Sequence, residues 1–197
     1  MGNLKHFELN KYIQKYEIEY MIETGTYLGD AVAYALNYNF KAIYSVELIK
    51  EYYDLSCERF KNNINVLLFN NTSQNGLEKI FSDHNIEHCL FWLDAHLPNF
   101  FKKEYNSDYK NNKDLLIPLE NEIRIIVSNK EISNDVFIID DLRIYESGNF
   151  QKGGWDDVIN AGVGGIEFIH ELLGKTHDIE KLYDGEGYIV CTPKKNK

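Results

Sequence analysis

What most constrains this chain is an alternation. Apolar runs of about four to six residues recur between stretches of about ten to fifteen residues with helical spacing, the pattern of repeated strand and helix units. Residues 18–23, 42–47, 66–69, 89–93 and 136–139 read as strands, with weaker runs at 178–183 and 187–192. The first five are expected to be parallel. Runs such as Cys89-Leu90-Phe91-Trp92-Leu93 and Val136-Phe137-Ile138-Ile139 are continuously apolar, as strands covered by helices on both faces must be. Candidate helices fall at 30–38, 49–61, 73–84, 115–128 and 165–173. In the second of these, Tyr52, Leu55, Cys57 and Phe60 form an apolar stripe beside Lys50, Glu51, Asp54, Glu58 and Arg59, a helix laid on a sheet. Asp184-Gly185-Glu186-Gly187 joins the last two strands as a short hairpin turn, so the sheet is expected to end in an antiparallel pair.

A length of 197 residues suits one α/β domain spanning 1–197. No run approaches the roughly 18 apolar residues of a membrane helix, and the first twelve residues carry charges where a signal peptide is apolar, so no membrane partner and a cytoplasmic location are expected. The net charge of −10, with only Lys194, Lys195 and Lys197 clustered, argues against nucleic acid as a partner. Cys57, Cys89 and Cys191 lack any zinc spacing and read as reduced core residues. A helix face that covers a second copy of the chain looks like one that covers the sheet, which leaves a homo-oligomer open.

Two stretches break the alternation, 98–114 with its aromatics and 147–165 with six glycines and Trp155. Both follow strand ends, the rim where an open α/β sheet binds ligands. On the same rim the first strand runs into Glu23-Thr24-Gly25-Thr26-Tyr27-Leu28-Gly29-Asp30 and then a helix. Such a loop lets backbone N–H groups approach a ligand, although a plain turn needs only one glycine, and the GxxxG spacing is not the GxGxxG of dinucleotide sites. About twenty residues on, the second strand ends at Glu47, where a carboxylate can accept both ribose hydroxyls or simply neighbour a helix N-cap. An adenine would then lie near Asn71, Thr72 and Ser73.

The fourth strand ends in Asp94-Ala95-His96 and the fifth in Asp140-Asp141. Acids at adjacent parallel strand tips converge above the sheet, and three oxygen ligands suit a hard cation such as Mg²⁺, while any one of them alone would more simply cap a turn. His96, at the mouth of the cleft, is the best-placed general base; a loop histidine or a metal ligand is the plainer alternative. Arg143 is expected to pair with Asp141 rather than to bind an acidic substrate group.

The E-T-G-T-Y-L-G loop and the order of parts from residue 18 to residue 193 resemble the class I S-adenosylmethionine-dependent methyltransferases. Within them the Asp94 and Asp140-Asp141 strand ends are most similar to the metal-dependent sugar and catechol O-methyltransferases. One departure is Tyr27 where many members have a second glycine. The resemblance implies a Rossmann-like, doubly wound sheet of seven mostly parallel strands in the order 3-2-1-4-5-7-6. It implies S-adenosylmethionine as cofactor, with Glu23 orienting the methionine amino group, Glu47 holding the ribose, and Thr24, Gly25, Thr26, Gly29, Asn71, Thr72 and Ser73 around it. It implies Mg²⁺ or another divalent cation on Asp94, Asp140 and Asp141, with Asp94 and His96 acting in catalysis. The implied activity is methyl transfer to a hydroxyl of a small molecule such as a sugar or natural product. A noncatalytic nucleoside-binding module is the alternative; a nicotinamide oxidoreductase is the weaker one.

Overall fold

The computed structural model describes residues 3–96, 112–154 and 164–194. Residues 98–111 of the first irregular stretch, with its aromatics, and 155–163 of the second, with Trp155, lie outside the described residues, as do Lys195 and Lys197. In chain order the elements are a 3-10 turn (Leu4–His6), α1 (Leu9–Tyr16), β1 (Tyr20–Thr24), α2 (Asp30–Ala35), β2 (Ala42–Glu47), α3 (Lys50–Phe60), β3 (Val66–Asn70), α4 (Ser73–Asp83) and β4 (Cys89–Leu93). There follow α5 (Lys113–Leu116), α6 (Leu119–Asn129), β5 (Val136–Asp140), a 3-10 turn (Leu142–Ile144), α7 (Glu167–Leu173), β6 (His177–Leu182) and β7 (Tyr188–Pro193).

The strands form one sheet in the order β3-β2-β1-β4-β5-β7-β6. Strands β1 to β5 pair in parallel, and β7 runs antiparallel to both β5 and β6. Alternate residues of the central strands feed two separate cores. Ile22, Phe91 and Phe137 pack with Leu77, Ile80, Ile123 and Ile126 on one face, and Met21, Leu90, Trp92 and Ile138 pack with Val32 and Phe60 on the other. Burial on both faces is why these strands carry unbroken apolar runs. Phe91 and Phe137 stack across adjacent strands at 4.8 Å between centroids.

Two elements differ from expectation. The segment before the first strand, for which the sequence reading named no element, forms the Leu4–His6 turn and α1, and it buries Leu4, Phe7 and Leu9 against the second core. The single helix expected at 115–128 is broken in two at Pro118, which has no N–H to continue the ladder from α5 and disfavours a helical Ile117. No helix among the described residues is long and apolar enough to cross a membrane. All three cysteines are free, two of them buried.

Candidate active site

The carboxyl ends of β1, β2 and β4 open on a cleft of about 110 Å³. Glu23, Gly25, Thr26, Glu47, Thr72, Ser73, Asp94 and His96 are on its walls. The sequence candidates Thr24, Gly29 and Asn71 are not among its lining residues. Thr24 is fully buried behind the wall, and the Asn71 side chain turns back to accept the Thr72 N–H at 3.0 Å.

The two loop glycines are needed first for packing. Gly25 has φ +86°, and a Cβ there would lie 2.3 Å from the Asp94 carbonyl oxygen, so β1 and β4 meet at their tips only because this residue has no side chain. At Gly29, φ +78°, a Cβ would lie 2.5 Å from the Phe60 ring. This residue starts α2 and lets α3 close over the loop.

Glu23 is 1% exposed, and its Oε2 accepts the Ser45 hydroxyl at 2.5 Å. The Ser45 and Thr26 hydroxyls are themselves 2.5 Å apart, which links Thr26, Ser45 and Glu23 in one hydrogen-bonded chain. Burial pushes the Glu23 carboxyl up to about 8, against the Ser45 hydrogen bond. Glu47 joins the two rims of the cleft, its Oε2 accepting Tyr27 N–H at 2.6 Å and its Oε1 accepting Ile49 N–H at 2.7 Å. Burial raises this carboxyl too, and the backbone donors oppose the shift.

On the β4 and β5 side, Asp94, His96 and Asp140 present ligand atoms within 4.8 Å of one another. Asp140 is 2% exposed, and neither of its oxygens has a hydrogen-bond partner among the described residues. Burial, then the charges of Asp94 and Asp141, hold its carboxyl well above the usual range. Asp94 is raised in the same way by burial and by Asp141. Two crowded acids beside an imidazole, one of them with both oxygens unpartnered among the described residues, are a donor set that fits a divalent cation.

Asp141 stands differently. It caps the following 3-10 turn in the left-handed conformation, φ 57°. Its Oδ1 accepts Arg143 Nε at 2.7 Å, while its Oδ2 contacts His96 Nε2. Burial works to raise this carboxyl, but His96 and Arg143 outweigh it and hold it low. The expected Asp141–Arg143 pair is therefore present, and the three atoms brought together are those of Asp94, Asp140 and His96, with Asp141 one step behind. For His96 burial opposes the charged form, yet Asp141 prevails and raises the imidazole. Its Nδ1 lies 3.5 Å from Asp94 Oδ1.

No protein-family model and no curated protein matches the chain. Solved structures do. A candidate caffeoyl-CoA O-methyltransferase from Staphylococcus aureus superposes with a TM-score of 0.65 at 10% identity, covering 98% of this chain and 85% of that one. An O-methyltransferase from Bacillus cereus in complex with SAH gives 0.60 at 15% identity, covering 98% and 82%. An rRNA methylase from Streptococcus thermophilus gives 0.57 at 12% identity, covering 98% of each chain.

This is the class I methyltransferase fold. The β3-β2-β1-β4-β5-β7-β6 order and the antiparallel β7 agree with the sequence expectation strand for strand. One acid of this methyltransferase-fold site was not singled out from sequence. Glu122 of α6 is 1% exposed, and its signal was available as a charge inside the apolar stripe of Leu119, Ile123 and Ile126.

Proposed function

We propose that the chain is an S-adenosylmethionine-dependent O-methyltransferase acting on a hydroxyl of a small molecule, with a divalent cation, Mg²⁺ or a relative such as Mn²⁺, on Asp94 and Asp140 beside His96. The observation that carries this reading is the convergence of those three donors within 4.8 Å on the rim of a cleft that also presents Glu23 and Glu47. A divalent cation, when bound, supplies the positive charge that makes an acceptor hydroxyl more acidic.

The chain's own residues do the rest. Each Glu47 oxygen accepts one backbone N–H and keeps a lone pair for a ribose hydroxyl. Glu23, through the Ser45–Thr26 hydroxyl pair, sets the polarity of the loop that faces the methionine end. His96 takes the acceptor proton at Nδ1, because Asp141 holds Nε2 and thereby fixes the tautomer. Asp141 is held in turn by Arg143. The cleft contributes proximity, aligning donor methyl and acceptor oxygen. Vicinal hydroxyls, as in a sugar or catechol, suit a cation that takes two oxygens. The rRNA methylase among the similar structures shows that the fold also serves nucleic acid; the net charge of −10 favours the small molecule.

Calorimetric titration of S-adenosylhomocysteine, first with EDTA and then with Mg²⁺ or Mn²⁺ and a panel of hydroxylated ligands, tests the reading. Micromolar binding, with a ligand that binds only when the cation is present, is the expected result. Cofactor binding without turnover of any acceptor would favour a noncatalytic module. No binding under either condition would overturn the cofactor.

A further inference from the structure

Asp141 ties His96 to the rest of the chain, and Arg143 is what holds Asp141. The Arg143 side chain, 8% exposed, comes from the 3-10 turn that follows β5. Its Nε donates to Asp141 Oδ1 at 2.7 Å, while its Nη1 donates to the carbonyls of Lys152 and Gly153 at 3.1 and 3.4 Å. One planar guanidinium thus spans from the carboxylate beside His96 Nε2 to the backbone of residues 150–153. That backbone is itself anchored to the β6–β7 hairpin. Phe150 is buried and stacks on Tyr183 at 5.5 Å between centroids, and a Cβ on Gly187 would stand 2.4 Å from its ring. Lys152 N–H donates to the Gly185 carbonyl at 3.1 Å, Gly153 N–H to the Phe150 carbonyl at 3.0 Å, and Lys152 Nζ to the buried Glu186 at 2.5 Å.

We propose that Arg143 is a positioning residue for His96: braced on the 150–153 backbone, it holds the Asp141 carboxylate in the orientation that keeps its Oδ2 against His96 Nε2. The inference rests on the reading of His96 as the general base. A buried guanidinium carries a large desolvation cost, and apolar side chains would join the turn to the 150–153 segment without it. What the charge adds is orientation. A carboxylate alone can turn about its terminal bond and exchange the partners of its two oxygens, whereas a charge-assisted bond from a rigid fork fixes which oxygen faces which neighbour. The fork is fixed in turn because its other arm ends on two carbonyls of an anchored segment, which cannot rotate away. The Asp141 backbone, left-handed at φ 57°, sets the carboxylate between the imidazole and the guanidinium. Support therefore runs from the hairpin through Phe150 and Lys152 to Arg143, then to Asp141, and last to His96.

The test reads the His96 Nε2 proton and the Lys152 and Gly153 amides by NMR hydrogen exchange in EDTA, with S-adenosylhomocysteine calorimetry beside it, for the wild type, Arg143→Lys, Arg143→Ala and Phe150→Leu. Arg143→Lys keeps the charge but not the fork, so it reaches Asp141 or the carbonyls and not both. In it the Nε2 proton and both amides are expected to exchange about tenfold faster, the worth of one charge-assisted hydrogen bond, with the β4 amides unchanged. Arg143→Ala is expected to lose the Nε2 proton signal. Phe150→Leu, a neutral change on the anchor, is expected to speed the two amides and the Nε2 proton together, by about threefold. Arg143 is not among the residues lining the cleft, so S-adenosylhomocysteine affinity should stay within about threefold of the wild type in Arg143→Lys. A wild type without an Nε2 proton signal overturns the inference, as does an unchanged Nε2 proton in Arg143→Lys and Arg143→Ala. Faster amides with an unmoved Nε2 proton in Phe150→Leu overturn the brace. None of these touches the cofactor reading, whereas a wild type that binds no S-adenosylhomocysteine overturns that reading and the base that Arg143 positions.

Discussion

At Glu47 one side chain does two things, since its oxygens hold Tyr27 N–H and Ile49 N–H while the remaining lone pairs face the cleft. Glu47→Ala therefore loosens both rims and removes the acceptor for a ribose. S-adenosylhomocysteine affinity should fall about tenfold or more, the worth of a charge-assisted hydrogen bond, with cation binding unchanged; equal affinity in calorimetry would remove the ribose role. Glu23 carries a pH dependence. Its folded value of about 8 lies above that of a free glutamate, so between about 4.5 and 8 the folded state holds a proton that the unfolded chain has released. Stability from this group is thus full below about 4.5 and is lost as pH rises toward 8. Thermal melts from pH 5 to 8 should show that decline, and Glu23→Gln should flatten it. A third residue-scale expectation concerns Asp141, which holds Nε2 of His96. Asp141→Asn should lower kcat by about 10²-fold with cofactor affinity retained; an unchanged kcat would mean that the tautomer of His96 is immaterial.

Elements meet at the β1–α2 loop, where the chain turns through two left-handed glycines packed against β4 and α3. Gly25→Ala combines an unfavourable φ with a Cβ 2.3 Å from a backbone oxygen that cannot swing away. It should cost about 2 kcal/mol or more, seen as a lower Tm and a shifted denaturant midpoint. An unaffected Tm would show that the β1 and β4 tips are not in fixed contact. The same loop shows what sequence could and could not carry. Its glycines were legible as a sharp strand-to-helix turn, but their contacts lie on Asp94 and Phe60, far along the chain, and no local pattern names those partners. Pro118 falls inside the helix expected at 115–128, and a proline there is a breaker that local sequence makes legible; α5 and α6 separate around it. In α1 the stripe Leu9, Tyr12, Ile13 and Tyr16 sits among lysines, and only docking on the second core makes it a helix worth forming.

Across the whole molecule, unbroken apolar strands determined the fold, and acids at their ends marked the rim, so both were readable from residues alone. What was not readable is which acid faces which neighbour. Asp140 and Asp141 are adjacent in sequence, but the left-handed turn at Asp141 sends one carboxylate toward Asp94 and the other between His96 Nε2 and Arg143. That divergence has a consequence for global stability. Asp140 lies in a crowd of like charges with both oxygens unpaired, which strains the cation-free protein. A cation bound by the folded state alone raises Tm by mass action. In melts with EDTA, Asp140→Asn should exceed the wild type by a few degrees, about 1 kcal/mol in a chain of this size. In melts with Mg²⁺ or Mn²⁺ the wild type should rise and Asp140→Asn should not, reversing their order. Equal shifts in both proteins would place the cation elsewhere, and a wild type unmoved by either ion would leave Asp94, His96 and Asp140 as a base with its attendant acids rather than a metal centre.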